Sequence, residues 1–109
     1  MKCTQAKKNN TVVCALSGEI NLDTSPELRK FCAGLLAKGE KNMVLNFKDV
    51  GYVDSSGLAT LIELFQKIKE KSGSLKLCSL SDKVKSVFEL TKLDRVFKIC
   101  PSEEDALRD

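Results

Sequence analysis

Apolar residues recur along this chain in two alternating periods. Thr11 to Leu16 is a short β-branched run and predicts a strand. Cys3 to Lys8 precedes it with weak alternation, and the turn signal Asn9-Asn10 lies between them, so the two should pair as a hairpin. Ser17-Gly18 is read as the close of the second strand and Glu19-Ile20-Asn21-Leu22 as a loop. Asp23-Thr24-Ser25-Pro26-Glu27 then starts a helix, with Leu28, Phe31, Cys32, Leu35 and Leu36 as its buried stripe and Gly39 as its stop. Asn42 to Phe47 is the next strand, and Asp49-Val50-Gly51 reads as a break. Leu58, Leu61, Ile62, Leu64, Phe65 and Ile68 follow at spacings of three and four, the mark of a long amphipathic helix that Gly73 should end. Leu75 to Cys78, with Leu80, is a further strand. Ser81-Asp82 caps a shorter helix, with Val84, Val87, Phe88 and Leu90 on or near its buried side. Val96 to Ile99 is a last strand, and Ser102-Glu103-Glu104 opens a short terminal helix.

The resulting order is β-β-α-β-α-β-α-β-α. Strands alternating with helices demand right-handed crossovers, hence an α/β fold with a mostly parallel sheet of four to five strands, an N-terminal β-hairpin as its antiparallel edge and about four helices. Sites in such sheets form where strand C-termini meet helix N-termini. That rule points to the tips after Leu16, Phe47 and Leu80, and it brings Asn21–Thr24 beside Asp54–Gly57.

Tyr52-Val53-Asp54-Ser55-Ser56-Gly57-Leu58 is the stretch with the most chemistry. It sets two hydroxyls beside a carboxylate where an extended segment becomes a helix. The first N–H groups of a helix lack intrahelical partners and, with the helix dipole, favour an oxyanion. A serine there has the ordinary duty of an N-cap; with its hydroxyl in solvent it can also carry a phosphate. Gly57 costs about 1 kcal/mol relative to alanine in a helix. Its presence in the first turn makes sense where another part of the chain comes close. Gly18 and Gly51 read as turn residues.

At 109 residues the expectation is one domain spanning 1–109, with 42% hydrophobic residues and no repeat. No apolar run approaches the ~20 residues that span a bilayer, and no signal region follows Lys2, so a cytoplasmic protein is expected. Five cysteines at wide spacing, no C-x-x-C and no histidine argue against a disulfide framework, a zinc site or any other metal. Cys14, Cys32 and Cys78 read as small buried hydrophobes, whereas Cys3 and Cys100 are read as exposed. A net charge of +3, lysines interleaved with other residues, and a single tyrosine with no tryptophan do not suit a nucleic-acid surface. A nucleophilic enzyme would need a base near Ser55; the chain lacks both histidine and a Gly-x-Ser-x-Gly elbow. No glycine-rich phosphate loop is present, and no cofactor is expected.

The chain resembles the STAS family, and within it the single-domain anti-sigma factor antagonists of bacteria. The matching pieces are Leu16-Ser17-Gly18-Glu19-Ile20-Asn21, Val44-Leu45-Asn46-Phe47-Lys48-Asp49-Val50, Val53-Asp54-Ser55-Ser56-Gly57-Leu58, Leu75-Lys76-Leu77-Cys78, and the Val84-to-Phe97 stretch with Leu90-Thr91-Lys92-Leu93. The Asp-Ser-Ser-Gly-Leu piece is the most specific. The resemblance implies a STAS-like fold and a partner switch. The unphosphorylated protein would bind an anti-sigma factor that is also a serine kinase, freeing a sigma factor. Phosphorylation of Ser55 would release it, with Ser56 ranked below, and a PP2C-type phosphatase would reset it. Direct nucleic-acid and membrane partners are not expected, and a monomer is favoured. The partner surface would comprise Asn21, Asp23, Asp54, Ser55, Ser56 and Gly57, with exposed positions of the following helix such as Thr60, Glu63 and Lys67. Glu63 and Lys67 also read simply as an i,i+4 ion pair. Members often carry aspartate where this chain has Asn21; Asp23, two positions on, is read as capping the first helix instead. The competing reading is a STAS-like subunit of a lipid-transport or sensory complex that binds constantly, without a phosphorylation cycle.

Overall fold

The computed structural model describes residues 1–108. Its elements are β1 (Lys2–Lys8), β2 (Thr11–Ile20), α1 (Ser25–Ala37), β3 (Asn42–Val53), α2 (Ser55–Glu70), β4 (Ser74–Cys78), α3 (Asp82–Leu90), a 3₁₀ turn (Leu93–Arg95), β5 (Lys98–Cys100) and α4 (Glu103–Arg108). The five strands lie in sequence order in one sheet; β1–β2 is antiparallel and the other three pairings are parallel. The hairpin runs β1 back along β2, pairing Lys2 with Ser17 and setting Met1 beside Gly18.

Alternation along the strands divides two cores. Val12, Cys14, Leu16, Met43, Leu45, Phe47, Leu75 and Leu77 face α1, α2 and α3. Val13, Val44, Cys78 and Cys100 face the opposite way and meet Ala106 of α4. Burial of this apolar surface supplies the main folding drive, at roughly 25 cal/mol per Å². Phe88 links the elements by edge-to-face contacts with Phe47 (6.4 Å) and Phe97 (5.8 Å), the geometry that aromatic quadrupoles favour.

Four local expectations are corrected. First, β2 and β3 do not stop at Leu16 and Phe47. They run on to Ile20 and Val53, so Glu19-Ile20 and Asp49-Val50-Gly51 are strand, not loop and break. The β2–β3 register shifts twice, between Ala15 and Ser17 and between Gly18 and Glu19, and β3 takes an extra residue each time. Buried residues therefore fall at Phe47, Val50 and Val53, in steps of three that hide the strand period of two. Gly18, at φ +106°, lies at the second shift, and Gly51 is the extra β3 residue there, a bulge within the strand rather than a turn.

Second, α2 ends in a Schellman arrangement whose left-handed residue is Ser72 (φ 58°), not Gly73. Gly73 is required for a different reason: a Cβ there would run into the Lys41 carbonyl oxygen. Third, Leu90 is 84% exposed. At 100° per residue it points about 200° away from Phe88, and Leu93 packs on the core in its place. Fourth, β5 begins only at Lys98, because Val96 and Phe97 belong to the turn that follows the 3₁₀ segment. Cys14, Cys32 and Cys78 are buried as expected, but Cys100 is buried too. Burial pushes the Cys14 and Cys32 thiols up to about 12, so both stay protonated and inert. No helix among the described residues is long and apolar enough to cross a membrane.

Candidate functional site

The prolonged β2 and β3 end together, with Ile20 paired to Val53. The Asp54 N–H donates to the Ile20 carbonyl at 3.0 Å, carrying the ladder one residue beyond the strands. There the chain turns into α2. Asp54, at φ −103° and ψ −173°, is the N-cap, and its Oδ1 accepts from the Gly57 N–H at 3.0 Å. The serine is thus not the cap: the aspartate has that duty. Ser55 becomes the first helical residue and is exposed, while Ser56 is half-buried. Among the described residues no hydrogen bond engages the Ser55 hydroxyl. The Ser56 carbonyl accepts from Thr60 Oγ1 at 3.1 Å.

Gly57 meets the expectation of a close approach. A Cβ there would lie 2.7 Å from Ile20 Cγ2 and 3.0 Å from both the Ile20 carbonyl oxygen and Val53 Cγ1. Only glycine lets the first turn of α2 sit against the end of β2.

The neighbouring segment folds around Asn21. Its Oδ1 accepts from the Asp23 N–H (3.0 Å) and the Thr24 N–H (3.1 Å). Its N–H donates to Thr24 Oγ1 (2.9 Å), and its carbonyl accepts from both Ser25 Oγ (2.6 Å) and the Ser25 N–H (2.8 Å). Asn21, not Asp23, therefore organises the start of α1, whose N-cap residue Thr24 makes no side-chain cap bond. Asp23 stands exposed beside it. An aspartate at 21 could accept the same two N–H groups; the side-chain amide adds only a long 3.5 Å donation to Glu19 Oε2.

Further along α2 the expected surface divides. Lys67 is exposed and Glu63 half-buried, and they form the i,i+4 pair at 3.2 Å. Thr60, expected at the surface, is only 3% exposed. It faces α1 across the helix pair, where Arg29 Nη2 donates to its hydroxyl at 3.3 Å. Arg29 Nε also donates to Glu63 Oε2 at 3.0 Å. Hydrogen bonds from Lys67, then from Arg29, hold the Glu63 carboxyl below its ordinary range. Arg29 is the residue that sequence reasoning missed. An exposed arginine on α1 carries no signal of its own, and only its crossing to α2 reveals it. The structure thus brings Asn21, Asp23, Asp54, Ser55, Ser56 and Gly57 to one end of the sheet. It sets Glu63 and Lys67 on the adjoining helix surface and takes Thr60 inside.

The arrangement leaves a hydroxyl open to covalent modification at a helix start. Ser55 is exposed at the tip, and the helix N-terminus tolerates added negative charge. Among the described residues no group of three or more histidine, cysteine, aspartate or glutamate side chains could hold a metal ion.

Known proteins resemble the chain along nearly its whole length. The family model described as the STAS domain matches residues 4–106. The anti-sigma-B factor antagonist of Bacillus subtilis is 30% identical over 102 residues, covering 94% of this chain and 93% of that protein. The crystal structure of an anti-sigma factor antagonist from Mycobacterium paratuberculosis superimposes with a TM-score of 0.89 at 25% identity, covering 99% of this chain and 94% of the other. The fold likeness extends to the Bacillus cell fate determinant SpoIIAA in its phosphorylated form, with a TM-score of 0.74 at 21% identity over 98% of this chain and 97% of the other.

Proposed function

The chain belongs to the STAS domain family, and on that premise we propose that it is an anti-sigma factor antagonist whose partner binding is switched by phosphorylation of Ser55. Unphosphorylated, it binds an anti-sigma factor that is also a serine kinase, and the sigma factor is freed. The kinase transfers phosphate to Ser55 and the complex parts; a PP2C-type phosphatase restores the hydroxyl. The chain is the substrate in this cycle rather than an enzyme, and the cycle runs in the cytoplasm.

One observation carries the reading: Asp54 caps α2, which leaves the exposed Ser55 hydroxyl outside the helix hydrogen-bond scheme. Because capping does not depend on the serine, its modification need not unwind the helix. Phosphate adds about −1.5 to −2 charges at neutral pH. The helix N-terminus accommodates them within the molecule, but a partner packed on the same tip meets a bulky dianion beside Asp54. A penalty of roughly 3–4 kcal/mol lowers affinity by two to three decades, enough for a switch. The partner surface is the end formed by Asn21, Asp23 and Asp54 to Gly57, extended along Glu63 and Lys67.

The test is incubation with candidate serine kinases and ATP, with mass-spectrometric mapping of phosphate. Label should fall on Ser55. Ser55→Ala should abolish it and retain partner binding, whereas Ser55→Asp should weaken binding, though less than phosphate does. A verified Ser55 phosphoprotein that binds its partner as tightly as the unmodified chain would overturn the proposal.

A further inference from the structure

The geometry around Ser55 depends on a register set well upstream in β3. Ala15 is paired with Asn46, but Ser17 is paired with Asp49, so Phe47 and Lys48 together stand opposite Leu16. Asn46 holds this bulge. Its Oδ1 accepts from the Lys48 N–H at 2.8 Å, a bond from a side chain to the backbone two residues on. The other end of the same carboxamide meets α4, where Nδ2 donates to Glu103 Oε1 at 3.1 Å. Glu103 Oε2 in turn accepts from Lys8 Nζ at 2.7 Å. Asn46 and Glu103 are both half-buried. The two bonds fix which way the amide faces: the oxygen must meet the N–H and the nitrogen the carboxylate.

The extra residue in the bulge decides what reaches the tip. With both register shifts in place, Ile20 pairs with Val53, its carbonyl accepts from the Asp54 N–H, and Gly57 lies against its side chain. Without the first shift, Ile20 would stand opposite Tyr52, and Asp54 and Ser55 would be carried about 3.3 Å further along the strand direction. Asp49 would turn toward the helices and Val50 away from them. Ser56, with its Cβ, would arrive where only glycine fits against Ile20.

We propose that Asn46 is a positioning residue for phosphorylation of Ser55, and that α4, through Glu103, sets how firmly the hydroxyl is presented. This rests on the function proposed above and adds regulation of the same site from the opposite face of the sheet. In the reaction Ser55 Oγ takes the γ-phosphoryl group of ATP, ADP leaves, and the hydroxyl proton passes to the kinase. Asn46 touches none of these groups. It holds β3 in the register that makes Asp54 the cap and Ser55 the first helical residue. With α4 seated, Glu103 keeps the amide nitrogen and so holds the oxygen on Lys48. With α4 released, the amide turns freely, the bulge loses its bond, and the end of β3 loosens against β2.

The experiment exchanges donor and acceptor. Asn46→Asp keeps an oxygen for the Lys48 N–H but sets a second carboxylate against Glu103. Adding Glu103→Gln rebuilds that bond with the roles reversed, and the new amide oxygen still accepts from Lys8. Each full-length variant is treated with the kinase that labels wild-type Ser55 in the assay above, at a temperature where circular dichroism shows it folded, and the Gly57 amide resonance is recorded in parallel. Asn46→Asp should slow labelling about tenfold and move the Gly57 resonance. The double variant should return the resonance and bring labelling to within about twofold of wild type. Glu103→Ala, which leaves Asn46 in place and removes its tie to α4, should slow labelling about threefold. Lost stability alone does not give this pattern, because a folded chain with an undisturbed tip is labelled normally. A folded Asn46→Asp chain labelled at the wild-type rate with the Gly57 resonance unmoved would overturn the positioning role and leave the phosphorylation switch standing. Slow labelling that Glu103→Gln does not recover would overturn it too. Should Asn46→Asp not fold, Glu103→Ala decides, and wild-type labelling of that variant would overturn the proposal. Failure of every kinase to label the wild-type chain would remove both readings.

Discussion

Replacing Gly57 with alanine would push a methyl carbon against Ile20 Cγ2 and the Ile20 carbonyl oxygen. Alanine gains about 1 kcal/mol in helix propensity, but the contact forces α2 away from β2. The expected net effect is a loss of about 1–3 kcal/mol in urea unfolding, the usual range for overpacking. The same displacement should slow Ser55 labelling by a purified kinase, although the hydroxyl is untouched. This much of the tip was legible: a glycine in a first helical turn implies an obstruction, and adjacent hydroxyls at a helix start imply a cap or a modification site. What was not legible is which residue caps. Aspartate and serine are nearly equivalent there, and only the Oδ1-to-Gly57 bond decides between them. Thr60 was misjudged for a related reason. Its hydroxyl is satisfied by Ser56 and Arg29, so burial costs it little, and nothing local in the sequence announces a partner thirty-one positions away.

At the scale of elements, α4 is fastened to the sheet by its apolar side and by polar bonds, among them one from Lys76 of β4 to the Ala106 carbonyl at 2.9 Å. Ala106 fills the second core, and Glu103 accepts from Lys8 at 2.7 Å and from Asn46 at 3.1 Å. The bond from Lys8, then that from Asn46, holds the Glu103 carboxyl below its ordinary value. A carboxyl depressed in the folded state stabilises fully above its unfolded-chain value of about 4.3 and loses that contribution as pH falls through its own lower value. The Ala106 methyl resonance should therefore shift below about pH 4 as α4 loosens, and Glu103→Gln should remove the Glu103 share of that titration. The helix was foreseeable from Ser102-Glu103-Glu104; its anchoring to β1 and β3 was not, since those partners are remote in sequence. The long strands were misread for a different reason. Bulges turned the buried positions of β3 into steps of three, and a polar, solvent-facing strand end resembles a loop when its partner is unseen.

For the whole molecule, the order of elements and the parallel sheet followed from alternating periods alone, because handed crossovers leave few other arrangements. The same architecture predicts what phosphorylation does not do. Ser55 is the first residue of a sixteen-residue helix, and charge at that position is favourable by up to about 1 kcal/mol at an exposed site. Stoichiometric phosphorylation should leave thermal unfolding within a few degrees of the unmodified protein, which calorimetry would check. A large drop would mean that the modification acts by unfolding rather than by blocking a surface.

The antiparallel hairpin has a practical corollary for anyone handling the protein. Because β1 runs back along β2, Met1 emerges beside Gly18, on the flank of the end that bears Ser55, whereas α4 folds back over the sheet toward Thr11 and Ser74 at the opposite end. An affinity tag or fluorescent fusion joined ahead of Met1 would crowd the proposed partner surface and mimic a weakened interaction. The same fusion placed after α4 would leave that surface clear.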